Sequence, residues 1–92
     1  MGFKKLRSVN LPEEKQGLVR YTCLTAAEQP KWVQEKIQRL CEKCGGAHCA
    51  ALKEVMCTRR SITAIAMEHY VSETVLYELR KDFYESWYKK GK

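Results

Sequence analysis

Apolar residues recur at helical spacing along most of this chain, and short polar or glycine-containing gaps divide them into segments. The sharpest pattern lies near the end. Ile62, Ile65, Ala66 and His69 follow an i, i+3, i+4, i+7 rhythm, and Leu76, Leu79, Phe83 and Trp87 form a second stripe beyond it. Ser61 and Ser72 stand just before those stripes. Each is suited to cap a helix, because a serine oxygen can accept one of the N–H groups left free in the first turn. The pattern predicts a short helix from Ser61, a connection of about three residues, and a longer helix from Glu73 to Trp87. Thr74, Tyr77, Glu78, Lys81 and Tyr88 fall on the wet face of the second helix.

So short a connection forces two helices to cross steeply, and Ala66 supplies the small side chain that lets their backbones approach. Small residue, turn, Val71, capping Ser72 and the apolar pair Leu76 and Leu79 together follow the pattern of a helix-turn-helix over residues 61–87. Tyr70 departs from it, standing where such turns usually carry glycine. A bulky residue is uncommon in left-handed backbone. The turn is therefore expected to be one residue longer or differently shaped. A plain helical hairpin is the alternative.

The upstream pattern is weaker. Phe3, Leu6, Val9 and Leu11 alternate loosely, Asn10-Leu11-Pro12 suggests a turn, and Gly17 interrupts any helix, so residues 1–24 read as an irregular arm. Thr25 and Glu28 fit a capping box, but Pro30 cannot sit inside a regular turn, which moves the expected helix start to about Gln29. Trp32, Val33, Ile37, Leu40, Cys41 and Cys44 then keep a stripe as far as Gly45-Gly46. A third helix is expected from Ala47 to Thr58, with Cys49, Leu52, Val55 and Met56 inward and Arg59-Arg60 as the link to Ser61. The expected fold is all-α. It is a small helical bundle, residues 25–92, whose C-terminal part is a trihelical helix-turn-helix unit, preceded by the arm. The Trp32–Cys44 helix can either complete the core or form a homodimer face.

Composition narrows the function classes. A hydrophobic fraction of 45% in 92 residues argues for one folded domain with a modest core. No apolar run approaches the length that spans a bilayer, and no secretory h-region is visible. Met1-Gly2 opens like a myristoylation signal, but Leu6 stands where Ser or Thr is needed. A cytoplasmic protein without membrane attachment is the expectation. The formal charge of +6 calls for an anionic partner. Lys4, Lys5 and Arg7, then Arg59 and Arg60, Arg80 and Lys81, and finally Lys89, Lys90 and Lys92 bracket the candidate reading helix, as phosphate contacts require.

Residues 45–87 resemble small bacteriophage-encoded transcriptional regulators related to region 4 of sigma-70-type factors, in particular late-gene activators and packaging/lysis regulators. The resemblance is carried by Gly45-Gly46 before a helix, the Ser61-to-Ala66 segment, Val71-Ser72-Glu73-Thr74, and Leu76-Tyr77-x-Leu79-Arg80 leading to Phe83-Tyr84. It implies double-stranded DNA binding near a promoter, with RNA polymerase as a second partner. A helix-turn-helix lays its second helix in the major groove with the N-terminal half at the base edges. That assigns Ser72, Glu73, Thr74, Tyr77, Glu78 and Lys81 to the DNA. Thr74 offers a hydroxyl or a methyl, Glu73 can accept from cytosine, and Lys81 can reach guanine or phosphate. Arg59 and Arg60 belong at the backbone. Arg80 either touches DNA or pairs with Glu73 or Asp82.

The cysteines offer a rival reading. Cys41, Cys44, His48 and Cys49, with Cys57 as a substitute, have the donor types of a zinc site. Yet there is only one CxxC, and the cysteines fall on apolar stripes where free thiols act as small hydrophobes. An odd count of five also argues against a disulfide framework. The expectation is no metal and no cofactor. No nucleophilic triad, inward carboxylate pair or phosphate-binding glycine loop is present, so the chain is not expected to be an enzyme. The alternatives to a DNA-binding regulator are a zinc-stabilised protein adaptor and a terminase-like packaging component.

Overall fold

The computed structural model describes residues 11–88, which form five α-helices: α1 (Glu13–Leu24), α2 (Lys31–Gly45), α3 (Cys49–Cys57), α4 (Ile62–His69) and α5 (Glu73–Trp87). Single 3-10 turns at Ala26–Glu28 and Gly46–His48 join the first three, and there is no strand among the described residues. α3 is the hub. It contacts all four other helices, and Ala51, Leu52, Val55 and Met56 bury the side chains that those helices close around. Every helix adds to this core: Val19 and Cys23 from α1, Ile37 and Cys41 from α2, Ile65 and Ala66 from α4, Leu76, Phe83 and Tyr84 from α5. This is an all-α small helical bundle, as the periodicity predicts.

The N-terminal expectation needs correcting. Residues 13–24 are not a loose arm but helix α1, begun by Pro12, whose φ of −60° already suits a helix start. Its inner face is Gln16, Val19 and Cys23, at helical spacing. The stripe is hard to see because its first member is polar. Gln16 is buried nonetheless, and its amide donates to the Leu11 carbonyl at 2.9 Å. The remainder of the expected arm, residues 1–10, lies outside the described residues. Thr25 closes α1, its hydroxyl donating to the Tyr21 carbonyl at 2.8 Å, and makes no side-chain cap to the 3-10 turn that follows.

α2 begins one residue after Pro30, close to the expected place. Trp32, expected inward, is 66% exposed. The buried line of α2 runs Val33, Ile37, Cys41 in steps of four, which leaves position 32 at its edge. Gly46 ends α2 at a positive φ of 53°, which glycine adopts without penalty. α3 starts at Cys49, two residues later than expected, because Gly46–His48 tightens into the 3-10 turn.

The turn between α4 and α5 is the sharpest correction. It is not lengthened to spare Tyr70. Tyr70 itself takes the left-handed conformation, at φ 57° and ψ 44°. The Val71 N–H then donates to the Ala66 carbonyl at 3.0 Å, closing α4 over the small residue. The Tyr70 side chain is 95% exposed, so its only steric conflict is with its own backbone. Left-handed backbone costs a non-glycine residue about 1–2 kcal/mol, while glycine gives back roughly half of that through its freer unfolded chain. Tyr70→Gly is therefore expected to raise stability by about 0.5–1 kcal/mol. A urea titration showing equal or lower stability would mean that the Tyr70 side chain holds the turn.

Candidate nucleic-acid interface

Two capped helices carry the candidate reading surface. The Ser61 oxygen accepts from the Ala64 N–H at 3.1 Å and the Ser72 oxygen accepts from the Val75 N–H at 3.1 Å, so both predicted caps are made. α5 is held from within by Leu76, Phe83 and Tyr84. On its other side Thr74, Tyr77, Glu78 and Lys81 follow one another at helical spacing and all are exposed, as are Ser72 and Glu73 at its start. Tyr88, expected on that wet face, instead packs back. Its hydroxyl donates to the Lys15 carbonyl at 3.1 Å, with the Lys15 ammonium 5.0 Å above its ring.

The flanking arginines divide. Arg59 is exposed. Arg60 is engaged within the fold, its guanidinium bridging Glu54 of α3, at 2.7 Å, and Glu68 of α4. His69, on the inward stripe of α4, sets its Nε2 2.9 Å from the second oxygen of Glu54. These contacts clasp the first motif helix to the hub helix. Ligand atoms of Glu54, Glu68 and His69 lie within 4.8 Å of one another, a set with the chemistry to hold a cation, but the Arg60 guanidinium already binds both carboxylates. His69 first, and Arg60 after it, hold the Glu54 carboxyl below the ordinary carboxylate range. A depressed carboxylate stabilises the fold above its unfolded pKa of about 4.3 and loses that contribution as pH falls through the lower folded value. Glu54→Gln is thus expected to lower the melting temperature at pH 7, with the gap to the parent closing below about pH 4. A gap that persists unchanged at pH 3 would show that the clasp does not depend on the Glu54 charge.

Arg80 takes neither of its expected partnerships with Glu73 and Asp82. It is half-buried, its guanidinium 5.1 Å above the Tyr77 ring, and burial lowers its pKa. The pair forms one flat, cationic element on the α5 surface, of the kind that stacks on sugar or base. The distribution of charge is more decisive than any one contact. Residues 1–10 and 89–92 contain six basic side chains and no acidic one, which accounts for the entire formal +6. Residues 11–88 therefore carry equal numbers of acidic and basic side chains. The net positive charge thus lies in the two terminal segments.

Among the described residues no three ligand atoms of Cys41, Cys44, His48, Cys49 and Cys57 converge as a set that could hold a metal ion. Cys41 is fully buried, and burial pushes its thiol up to about 12. The Cys44 and Cys49 sulfurs face Ser86 and Gln38, at 3.8 and 3.9 Å. His48 is exposed on the 3-10 turn. The side chain that sequence reasoning missed is Arg20. From α1 it reaches the C-terminal end of α3 and donates to the carbonyls of Val55, Met56 and Thr58, at 2.5, 2.9 and 3.0 Å. It sits more than thirty residues away from its partners, so no local motif announces it.

Among the described residues no helix is long and apolar enough to cross a membrane. The comparisons with known proteins return no counterpart: no family model matches this chain, and no curated protein or solved structure shows significant similarity to it.

Proposed function

We propose that this chain is a sequence-selective binder of double-stranded DNA and a regulator of transcription. The observation that carries the reading is the α4–turn–α5 unit, in which both helices are serine-capped, the turn is three residues long, and α5 is anchored by Leu76 and Phe83 while Thr74, Tyr77, Glu78 and Lys81 face outward. A helix fixed on one side and polar on the other can enter a major groove without disturbing the core. Ser72, Thr74 and Glu73 at its start meet base edges, Lys81 and the Tyr77–Arg80 pair meet base or phosphate, and Arg59 meets the backbone. Arg60 orients α4 rather than binding DNA directly. Acidic Glu73 and Glu78 suppress indiscriminate binding and favour selection of sequence.

The resemblance of residues 45–87 to phage-type sigma region 4 regulators supports promoter DNA as the target and RNA polymerase as a second partner. The isolated protein should bind mixed-sequence duplex DNA in a fluorescence anisotropy titration. Tyr77→Ala with Lys81→Ala is expected to weaken binding by at least about tenfold, since each good contact contributes roughly 1–3 kcal/mol. Both side chains are exposed, so the fold should survive. Equal binding by parent and double variant would remove α5 as the reader. No binding at low salt would remove DNA as the ligand.

A further inference from the structure

α1 and α3 meet through sulfur as well as through Arg20. Cys23 is fully buried on the inner face of α1, one turn after Arg20. Cys57 is the last residue of α3, half-buried at the rim of the same core. The three carbonyls that Arg20 grips belong to Val55, Met56 and Thr58, the residues on either side of Cys57. The grip fixes the face of α1 that bears Cys23 against the end of α3 that bears Cys57. All five cysteines are free thiols.

We propose that Cys23 and Cys57 form an oxidation-sensitive dithiol, in which Cys57 reacts with hydrogen peroxide and Cys23 resolves the product to an α1–α3 disulfide. Three features assign the roles. Cys57 is reachable from solvent, whereas Cys23 and Cys41 are wholly enclosed. The neighbouring Cys23 thiol is the main influence lowering the Cys57 pKa, with Lys53 and Arg20 adding to it against the effect of burial. The Cys57 thiol, with burial, in turn raises the Cys23 pKa. The thiolate is the reactive form, so attack begins at Cys57.

The chemistry balances without a further reagent. The Cys57 thiolate attacks one peroxide oxygen, the O–O bond breaks, and hydroxide leaves with Cys57 as a sulfenic acid. The Cys23 sulfur then attacks the Cys57 sulfur, the S–O bond breaks, and the departing hydroxide takes the Cys23 proton as water. Two thiols and one peroxide become one disulfide and two waters. The bond would tie α1 to the segment that leads through Arg59 and Arg60 into α4.

Tryptic mapping of the full chain reads the pairing directly. Cleavage after lysine and arginine places Cys23 alone in residues 21–31, Cys57 alone in 54–59 and Cys41 alone in 40–43, with Cys44 and Cys49 together in 44–53. The reduced protein is treated with hydrogen peroxide, its remaining thiols are alkylated, and the digest is run without reductant. A linked 21–31/54–59 peptide is the expected dominant product. In Cys23→Ser the link should vanish and dimedone should label Cys57, whereas in Cys57→Ser peptide 21–31 should stay reduced. The proposal fails if the parent links through 40–43 or 44–53 instead, or if its Cys57 stays alkylatable in peroxide that oxidises a small free thiol. It also fails if Cys23 oxidises equally well without Cys57. The parent digest alone decides the pairing, so the result does not depend on either variant folding.

Discussion

Replacing Lys4, Lys5, Arg7, Lys89, Lys90 and Lys92 with glutamine should nearly abolish the salt dependence of DNA binding while leaving the fold intact. Each phosphate contact releases condensed counterions, so the slope of log affinity against log salt is about −0.9 per contact. With all six terminal charges engaged, the parent should lose about a thousandfold in affinity between 50 and 200 mM salt. The substituted protein retains a body with balanced charge, and its affinity should change by no more than about tenfold over the same range. Its preference among sequences should persist, because α5 is untouched. The measurement is a set of anisotropy isotherms at four salt concentrations, with circular dichroism as the check on folding. An unchanged slope would place the phosphate contacts on the body instead, with Arg59, Arg80 and Lys81 the first to test. The comparison with the α5 double variant separates affinity from selectivity: one set of substitutions should change the salt slope, the other the sequence preference.

Arg20→Met is the second substitution expected to act strongly, and it acts on stability. Methionine keeps the apolar stem of the side chain but cannot donate to the carbonyls of Val55, Met56 and Thr58. A helix leaves its last carbonyls without partners inside the helix. Here part of that deficit at the end of α3 is met by a charged donor from α1, and hydrogen bonds to charged groups contribute about 1.5–3 kcal/mol each. The loss should be about 3 kcal/mol, since three bonds from one side chain are not additive and water can reach part of the site. For a domain whose total stability is on the order of 5–15 kcal/mol, that is a shift visible in any urea titration. Arg20→Lys should recover only part of it, because an ammonium cannot reproduce the planar fork. Stability unchanged in Arg20→Met would mean that water caps α3 equally well.

The helices were legible where their signals are local. The caps at Ser61 and Ser72, the start of α2 beside Pro30 and the stripes of α4 and α5 each depend on residues within one or two turns, and all appear close to the predicted places. The outward face of Thr74, Tyr77, Glu78 and Lys81 was legible for the same reason, since helical periodicity alone puts these residues on one side. α1 was not, because a buried glutamine and a glycine disguise its inner face. Tyr70 was misjudged for an energetic reason. The left-handed backbone costs only about 1–2 kcal/mol, less than the packing of Leu76 and Phe83 that depends on a three-residue turn.

By itself, the sequence determined an all-α chain, the two caps, the polar face of α5 and the segregation of its net charge to residues 1–10 and 89–92, since each is settled by composition or by neighbours along the chain. Tertiary structure alone decided the rest. It turned Arg60 from a candidate phosphate ligand into a clasp on Glu54 and Glu68, gave His69 a carboxylate partner, brought Arg20 to the end of α3 and set Cys23 beside Cys57. The clasp, the Arg20 bridge and the cysteine pair join different elements of the fold, and a long side chain's choice among distant partners is made only when packing closes the distance.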